Sequence, residues 1–196
     1  MRTVFFITHP DVALDPAVPI TEWPLSPRGR QRMEAASMRQ WLAGVGAIWC
    51  STERKAIDGA AILAGGLGVP WSELASLGEN DRASTGYLPK AEFEMVADAF
   101  FARPLESVRG WERAVDAQRR IVGAIDTVLN RSHAAGDIAI VSHGGVAALL
   151  LCRLRGCEIS RDHDQPSGNG GHIYAFDAVT RELQYGWRSL ELGGAA

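Results

Sequence analysis

The feature that most constrains the fold is a set of short apolar runs that alternate with segments of helical character. Three of these runs cover residues 3–8, 47–51 and 137–142, and they are rich in β-branched, aromatic and other apolar side chains. Continuous apolar runs of this length are typical of strands that are buried on both faces of a sheet. Strands that alternate with helices predict a mainly parallel sheet with helices packed on both sides.

The helices between these runs are indicated by their end signals. A Ser-Pro pair at 26–27 suits the N-cap and first position of a helix that we expect to continue to about Leu42. A second helix is predicted over residues 55–67, where glycines stop it. Apolar residues at helical spacing predict one more helix over 111–131, and another is predicted over 144–154.

Two segments depart from the alternation of strands and helices. Residues 172–177 and 183–187 flank a short turn and predict an antiparallel hairpin at one edge of the sheet. Residues 78–110 are mixed in character, with a helix expected over about 90–101, and we interpret them as a small helical insertion over one end of the sheet. We therefore predict a three-layer α/β/α sandwich, formed by residues 1–196 as a single domain.

Charge and hydropathy limit the partners that the chain can have. A net charge of −3 and a pI near 6.0 argue against nucleic acid or an anionic membrane surface as the main partner. No apolar stretch reaches the length that spans a membrane, and the N-terminal apolar run is too short for a signal peptide. We therefore expect a cytoplasmic protein.

The cysteines and one isolated histidine are the residues that could suggest a metal. Cys50, Cys152 and Cys157 follow no metal-ligand spacing, and we expect inert thiols of a reducing compartment. His163 lies between two aspartates, but an Asp-His-Asp sequence on a flexible loop is far more often solvent-exposed surface. We therefore predict no metal ion and no other cofactor.

Two further histidines occupy equivalent places in the predicted sheet. His9 follows the first strand and His143 follows the strand over 137–142, so both lie at carboxyl ends of strands, where open α/β sheets bind ligands. The glycines after His143 begin a helix whose amide groups suit an anion. A neutral imidazole can accept a phosphoryl group, and a protonated one can stabilise the transferring oxygens. Each histidine could equally be an ordinary polar residue, and spacing alone leaves both interpretations open.

Four segments extend the pattern beyond the two histidines. They read Phe-Ile-Thr-His-Pro at 6–10, Pro-Leu-Ser-Pro-Arg-Gly-Arg-Gln at 24–31, Ser-Thr-Glu-Arg-Lys-Ala at 51–56 and Val-Ser-His-Gly-Gly-Val at 141–146. In this order they resemble the histidine phosphatase (phosphoglycerate mutase-like) superfamily over nearly the full chain. That family has an apolar strand ending in Arg-His-Gly, a Leu-Thr-x-x-Gly-x-x-Gln helix start, a Ser-x-x-x-Arg-Ala segment and a second histidine motif. One such match is weak, but four in order are specific for the fold.

The resemblance implies a metal-independent phosphomonoester hydrolase that acts on a small phosphorylated molecule through a phosphohistidine. His9 would be the nucleophile that accepts the phosphoryl group, and His143 the second histidine of the pocket. Glu79 lies where many members carry the acid that protonates the leaving oxygen. A solvated loop carboxylate is an equally open interpretation of Glu79.

The chain departs from the family at the residues that hold phosphate. Thr8 replaces the arginine of the first motif, Pro10 replaces the glycine, and Lys55 aligns with the second arginine. Threonine offers one neutral donor where arginine offers a planar fork. These departures support an alternative function, a catalytically impaired member that acts as an anion-binding or regulatory module. The candidate phosphate contacts are Thr8, Lys55, Arg54, Arg28 and Gly144.

Two further features leave alternatives open. Arg82, Arg103 and Arg109 in the insertion could meet an anionic substrate, although scattered surface arginines are the commoner case. The apolar edge hairpin could pair with a second copy or be covered by its own chain, so the sequence allows a homodimer.

Overall fold

The computed structural model describes residues 2–193 and confirms the predicted α/β sandwich. All strands belong to one mixed sheet, and they are β1 (Thr3–Thr8), β2 (Val45–Cys50), β3 (Trp71–Glu73), β4 (Asp137–Ser142), β5 (His172–Asp177) and β6 (Leu183–Ser189). Their order across the sheet is β3-β2-β4-β1-β5-β6. The strands from β3 to β1 are parallel, and β5 and β6 form the predicted antiparallel edge.

β1 lies in the interior of the sheet, and its side chains reach the apolar cores on both faces. It pairs in parallel with β4, with Thr8 opposite Ser142, and antiparallel with β5. Successive side chains of a strand point to opposite faces. Phe5 and Ile7 therefore belong to one buried cluster, and Val4 and Phe6 to the other.

Five α-helices lie within residues 2–193, namely α1 (Pro27–Ser37), α2 (Arg54–Leu67), α3 (Lys90–Ala102), α4 (Ala114–Arg131) and α5 (Gly144–Arg155). Met33 of α1 and Leu63 of α2 pack in the cluster that contains Phe5 and Ile7. α4 and α5 pack in the cluster on the other face. α3 belongs to a third cluster with Trp111 and Leu149, which places the insertion against α5.

The N-terminus of α1 confirms the Ser-Pro signal, but its end differs from the prediction. Ser26 Oγ accepts a hydrogen bond of 3.1 Å from the amide of Gly29. The helix ends at Ser37 and not near Leu42. The Ser37 hydroxyl donates to the carbonyl of Glu34 in the last turn. Residues 40–42 then form a separate 3-10 turn that buries its last side chain.

One other helix boundary and one strand differ from the prediction, because backbone turns and strand pairing outweigh the pattern of the sequence there. α4 begins at Ala114 and not at residue 111, since residues 108–110 form a 3-10 turn in which Arg109 has a φ of 53°. β3 was not predicted at all, because a strand of three residues has too few positions to show alternation. It exists because it pairs with the end of β2. Within residues 2–193, none of the helices combines the length and the apolar character needed to cross a membrane.

Candidate active site

The register of β1 and β4 brings His9 and His143 together. Thr8 and Ser142 are partners at the ends of these neighbouring strands, so the residues that follow them share one edge of the sheet. The centroids of the two imidazole rings lie 5.2 Å apart, and the rings are inclined by 66°. The amide of His9 also donates to the carbonyl of Ser142 at 3.0 Å. The fold therefore places the two histidines next to each other at one site, as predicted.

His9 is held in one tautomer by the backbone that follows it. Its Nδ1 lies 3.0 Å from the carbonyl oxygen of Pro10, which can only accept, so Nδ1 carries the proton. Nε2 is then left with its lone pair. Burial, together with the charge of Lys55, lowers the pKa of His9 to about 4. The imidazole is therefore neutral near pH 7, the state in which it can act as a nucleophile.

His143 lies directly behind His9 and is fully buried, with 0 % of its surface exposed. Its Nε2 is 2.6 Å from Ser51 Oγ and 3.2 Å from Glu53 Oε1. Burial lowers the pKa of His143 well below its usual value, and the Glu53 carboxylate opposes this effect. Nδ1 of this ring has no hydrogen-bond partner among residues 2–193. A bound anion is a group that could accept from it once the ring is protonated.

Glu79 is not a solvated loop carboxylate. Its two oxygens accept hydrogen bonds of 3.0 Å each from the amides of Gly145 and Val146, in the first turn of α5. Burial raises the pKa of Glu79 even though the charge of Arg82 and the amide of Gly145 favour its charged form. The anion position expected at the Gly144 helix start is thus filled by a side chain of the insertion. Gly144 itself is closely covered, since a Cβ there would lie 2.3 Å from Gln165 Nε2.

Lys55 is buried but its charge is already paired. Its Nζ lies 2.5 Å from Glu53 Oε2 and 2.8 Å from the carbonyl of Ile20. Burial would raise the pKa of Glu53, but His143 and Lys55 together bring that pKa down to about 2. Glu53 also accepts from the amide of Glu79 at 2.8 Å. Lys55 is therefore not a free point charge for phosphate, and Glu53 is a site residue that the sequence analysis did not identify.

Thr8 makes its hydrogen bonds within the protein, unlike the phosphate-holding arginine that the family has at this position. Its hydroxyl donates to Gln165 Oε1 at 2.8 Å and accepts from the amide of His172 at 3.0 Å. Only 1 % of the residue is exposed. Thr8 therefore joins β1 to β5 and to the loop before it, and its hydroxyl is already occupied.

Arg28 and Arg54 do not turn toward His9, contrary to the expectation that they hold phosphate. The Arg28 side chain is 74 % exposed and its Nε lies 3.6 Å from Asp11. Arg54 is 55 % exposed and is held by Asp58 at 3.0 Å, one turn along α2. Among residues 2–193, the cavity walls around His9 include neither arginine.

Two arginines among residues 2–193 line the inner cavity. Arg161 is held by the carboxylates of Glu94 and Asp98, whereas Arg82 comes from the insertion. Arg82 borders both an inner cavity of about 210 Å³, whose wall includes His9, and an outer cavity of about 540 Å³. Its guanidinium lies 5.0 Å from the ring centroid of Phe93. No carboxylate within residues 2–193 pairs with it, and its charge contributes to lowering the pKa values of both histidines. The sequence indicated Arg82 only as one of three arginines of the insertion, with Arg103 and Arg109, that could meet an anionic substrate.

The inner cavity has a polar floor and an aromatic wall. Glu79 and Asn80 border both cavities together with Arg82, so these three residues form the partition between them. The rings that line the inner cavity come from α3 and from the residue that follows the 108–110 turn, and they are Phe93, Phe100, Phe101 and Trp111.

Comparison with known proteins agrees with this geometry. The family model for the histidine phosphatase superfamily (branch 1) matches residues 17–175, a range that includes Glu79 and His143 and begins after His9. Comparison with curated protein sequences finds no significant match. Among solved structures, the YhfR protein of Bacillus stearothermophilus is similar with a TM-score of 0.77 and 22% identity, over 94% of this chain and 95% of that one.

Two further solved structures carry phosphatase names. A mycobacterial glucosyl-3-phosphoglycerate phosphatase in complex with inorganic phosphate has a TM-score of 0.75 and 19% identity, over 97% of this chain and 99% of that one. A putative α-ribazole-5'-P phosphatase of Escherichia coli has a TM-score of 0.75 and 17% identity, over 98% of this chain and 100% of that one. At these identities the similarity shows the fold.

The buried pair of Glu53 and Lys55 generates a stability prediction. Glu53→Gln keeps the shape of the side chain but leaves the buried ammonium of Lys55 without a counter-charge, so the free energy of unfolding should fall by about 3 kcal/mol. Adding Lys55→Met should recover much of this loss, because both charges are then absent. Urea unfolding measures both changes. The control is Glu73→Gln at the exposed end of β3, which should change stability by less than about 0.5 kcal/mol. A double variant less stable than Glu53→Gln alone would contradict the prediction.

Proposed function

Because the chain belongs to the histidine phosphatase superfamily, we propose that it hydrolyses phosphomonoesters through a phosphohistidine on His9. The observation that carries this proposal is the hydrogen bond between His9 Nδ1 and the carbonyl of Pro10. It leaves Nε2 with a free lone pair on a neutral ring that borders a cavity. This is the arrangement that a nucleophilic imidazole needs.

The proposed reaction has two steps that return the site to its starting state. His9 Nε2 attacks phosphorus, the bond from phosphorus to the leaving oxygen breaks, and the carboxylic acid of Glu79 protonates that oxygen. Water then attacks the phosphorus of the phosphohistidine while the Glu79 carboxylate takes its proton, the bond from phosphorus to His9 Nε2 breaks, and inorganic phosphate leaves. The proposal assigns no step to a metal ion or to another cofactor.

The electrostatics of the site support these roles. The raised pKa of Glu79 favours the protonated form that the first step uses. The lowered pKa of His9 keeps the nucleophile unprotonated. A phosphoryl group next to His143 would raise the pKa of that ring, and its unpartnered Nδ1 could then donate to a phosphoryl oxygen.

We assign the phosphate-holding cation to Arg82. Thr8 is engaged with Gln165 and His172, and the charge of Lys55 is compensated by Glu53. Arg82 borders the inner cavity without a carboxylate partner among residues 2–193, and a guanidinium can hold two phosphoryl oxygens at once. A small phosphorylated molecule would place its phosphoryl group beside His9 and extend its leaving group toward the outer cavity.

A second candidate function is the binding module without turnover. It is favoured by the contact between Glu79 and the first amides of α5, because this carboxylate occupies a place that an anion could fill. In that case inorganic phosphate or vanadate binds, while no phosphoester is hydrolysed. We also propose that the protein works in the cytoplasm, where its free thiols would stay reduced.

The nucleophile is tested with a panel of phosphomonoesters at pH 5 to 8 with EDTA present. His9→Ala should lower kcat by about 10³-fold or more, because the attacking atom is lost. Wild-type protein stopped in alkali should carry one phosphoryl group per chain on histidine, and vanadate should inhibit it. His133→Ala, which removes an exposed histidine, is the matched control and should keep full activity. Equal activity of His9→Ala and wild type would refute the mechanism, and binding without turnover in the wild type would support the module.

The pH profile tests Glu79 and has a defined sign. The rate should fall below pH of about 4, where His9 becomes protonated, and should fall again at high pH as Glu79 loses its proton. Glu79→Gln should lower kcat by about 10²-fold and remove the fall at high pH, because its amide does not titrate. Measuring kcat/KM across the pH range for both proteins shows this directly. A fall at high pH that persists in Glu79→Gln would assign the acid to another group.

The proposed role of Arg82 is tested by whether its loss raises KM. Arg82→Ala should raise KM for a phosphomonoester, and the inhibition constant of vanadate, by about tenfold or more, since a charge-assisted bond to phosphate is lost. Arg82→Lys should recover only part, because an ammonium lacks the fork. The matched control is Arg103→Ala in the same insertion, where the arginine pairs with Glu106 on the surface. Equal KM values for Arg82→Ala and Arg103→Ala would remove Arg82 from the site.

A further inference from the structure

A second group of potential ligands lies at the C-terminal end of α5, outside the His9 site. The thiols of Cys152 and Cys157 and a ring nitrogen of His163 all lie within 4.8 Å of one another. Cys152 is buried, His163 is half-buried and Cys157 is exposed, so the group opens to solvent on one side. The mechanism proposed for His9 uses none of these residues.

The way in which α5 ends explains why the two thiols meet. Gly156 adopts a left-handed conformation with φ 66°, and its amide donates to the carbonyl of Arg153 at 3.1 Å. The amide of Cys157 donates to the carbonyl of Cys152, also at 3.1 Å. These two bonds define the Schellman motif, in which the residue after the glycine folds back onto the last turn of the helix. The side chains that this motif brings into contact are usually apolar, and here both are cysteines.

The imidazole of His163 is positioned beside the thiols by a turn that is held by its own hydrogen bonds. Residues 161–163 form a 3-10 turn that begins at Ser160, whose hydroxyl accepts from the amide of Asp162. The carbonyl of His163 accepts a hydrogen bond of 2.9 Å from Trp187 Nε1. The carbonyl of Ser160 lies 3.7 Å from the Cys152 thiol, so the turn passes directly over it. The three ligand atoms therefore come from two backbone segments that are each held by their own hydrogen bonds.

We propose that Cys152, Cys157 and His163 bind one Zn²⁺ ion, with water as the fourth ligand. Two thiolates and one neutral imidazole are a known donor set for this ion, and two thiolates would compensate its charge. Tetrahedral coordination needs the sulfur atoms about 3.8 Å apart and each sulfur about 3.6 Å from the nitrogen. The observed spacing requires closure by about 1 Å at most, which rotation of the exposed Cys157 and half-buried His163 side chains can supply.

The carbonyl end of α5 contributes negative partial charge at the site, while Arg153 and Arg155 in the same turn contribute positive charge. The last carbonyls of a helix carry partial negative charge, and Cys152 lies in the last turn of α5. The present contacts of the thiols are weak, since Cys157 Sγ lies 3.5 Å from the carbonyl of Cys152 and Cys152 Sγ lies 3.7 Å from that of Ser160. A metal ion would replace sulfur contacts of this kind with coordinate bonds, at no cost in strong hydrogen bonds.

Cobalt titration of the reduced, chelator-treated protein tests this site, because Co²⁺ reports its ligands and geometry by absorption. We expect one ion per chain, thiolate-to-cobalt charge-transfer bands, the intense visible bands of tetrahedral coordination, and displacement by one equivalent of Zn²⁺. Cys157→Ser should abolish the charge-transfer and tetrahedral bands, and His163→Ala should weaken binding by about tenfold or more. His133→Ala is the matched histidine control and should bind as the wild type does. Circular dichroism checks that each variant is folded. We expect folded variants because Cys157 is exposed and His163 is half-buried.

The outcomes separate the metal site from inert thiols. Binding of one ion that is lost in Cys157→Ser and unaffected by His133→Ala supports the proposal. A wild-type protein without thiolate bands, or a Cys157→Ser variant with unchanged cobalt spectra, would overturn it. Formation of a Cys152–Cys157 disulfide while Zn²⁺ is present, seen as a mass loss of two protons and as lost thiol titre, would also overturn it, because a bound ion protects both sulfurs.

Discussion

The buried ion pair between Glu53 and Lys55 holds the candidate site together. Glu53 accepts from Lys55 and from the amide of Glu79, and it lies beside His143. One carboxylate thus joins the start of α2, the loop of the insertion and the end of β4. Its charge offsets that of the lysine and opposes the effect of burial on the pKa of His143, so several ionisable groups can be buried together. Removing it would leave the Lys55 ammonium without a carboxylate partner among residues 2–193.

The site divides into a part built on the sheet and a part supplied by the insertion. The first part consists of His9 and His143, which follow adjacent strands in register. The insertion provides Glu79 and Arg82, which line the inner cavity and to which we assign the proposed acid and phosphate-holding cation. In the family pattern a guanidinium stands beside the first histidine, whereas here a threonine at that place fastens β1 to its neighbours. In the proposed function, structural support and ligand contact are therefore exchanged between two regions of the chain.

The sequence predicted the parts of the structure that depend on local pattern. The strands over 3–8 and 137–142 follow from continuous apolar runs, and their parallel pairing follows from the alternation with helices. What it missed depends on distant partners. β3 exists only through its pairing with β2, and the importance of Glu53 comes from contacts made by atoms far apart in the chain. Arg28 and Arg54 were chosen by proximity in sequence, but each has an acidic neighbour that holds it at the surface.

The position of β1 in the sheet has a consequence for how the protein is made. β1 leaves the ribosome before the other strands of this sheet, yet both of its partners, β4 and β5, follow more than 100 residues later. Its contact with β4 spans 134 residues. At a synthesis rate of about 5 to 20 residues per second, the apolar segment Val-Phe-Phe-Ile waits for roughly 7 to 27 seconds before it can pair. The nascent chain therefore carries an unpaired apolar strand until β4 has been made, and this strand is a segment through which incompletely synthesised chains can aggregate.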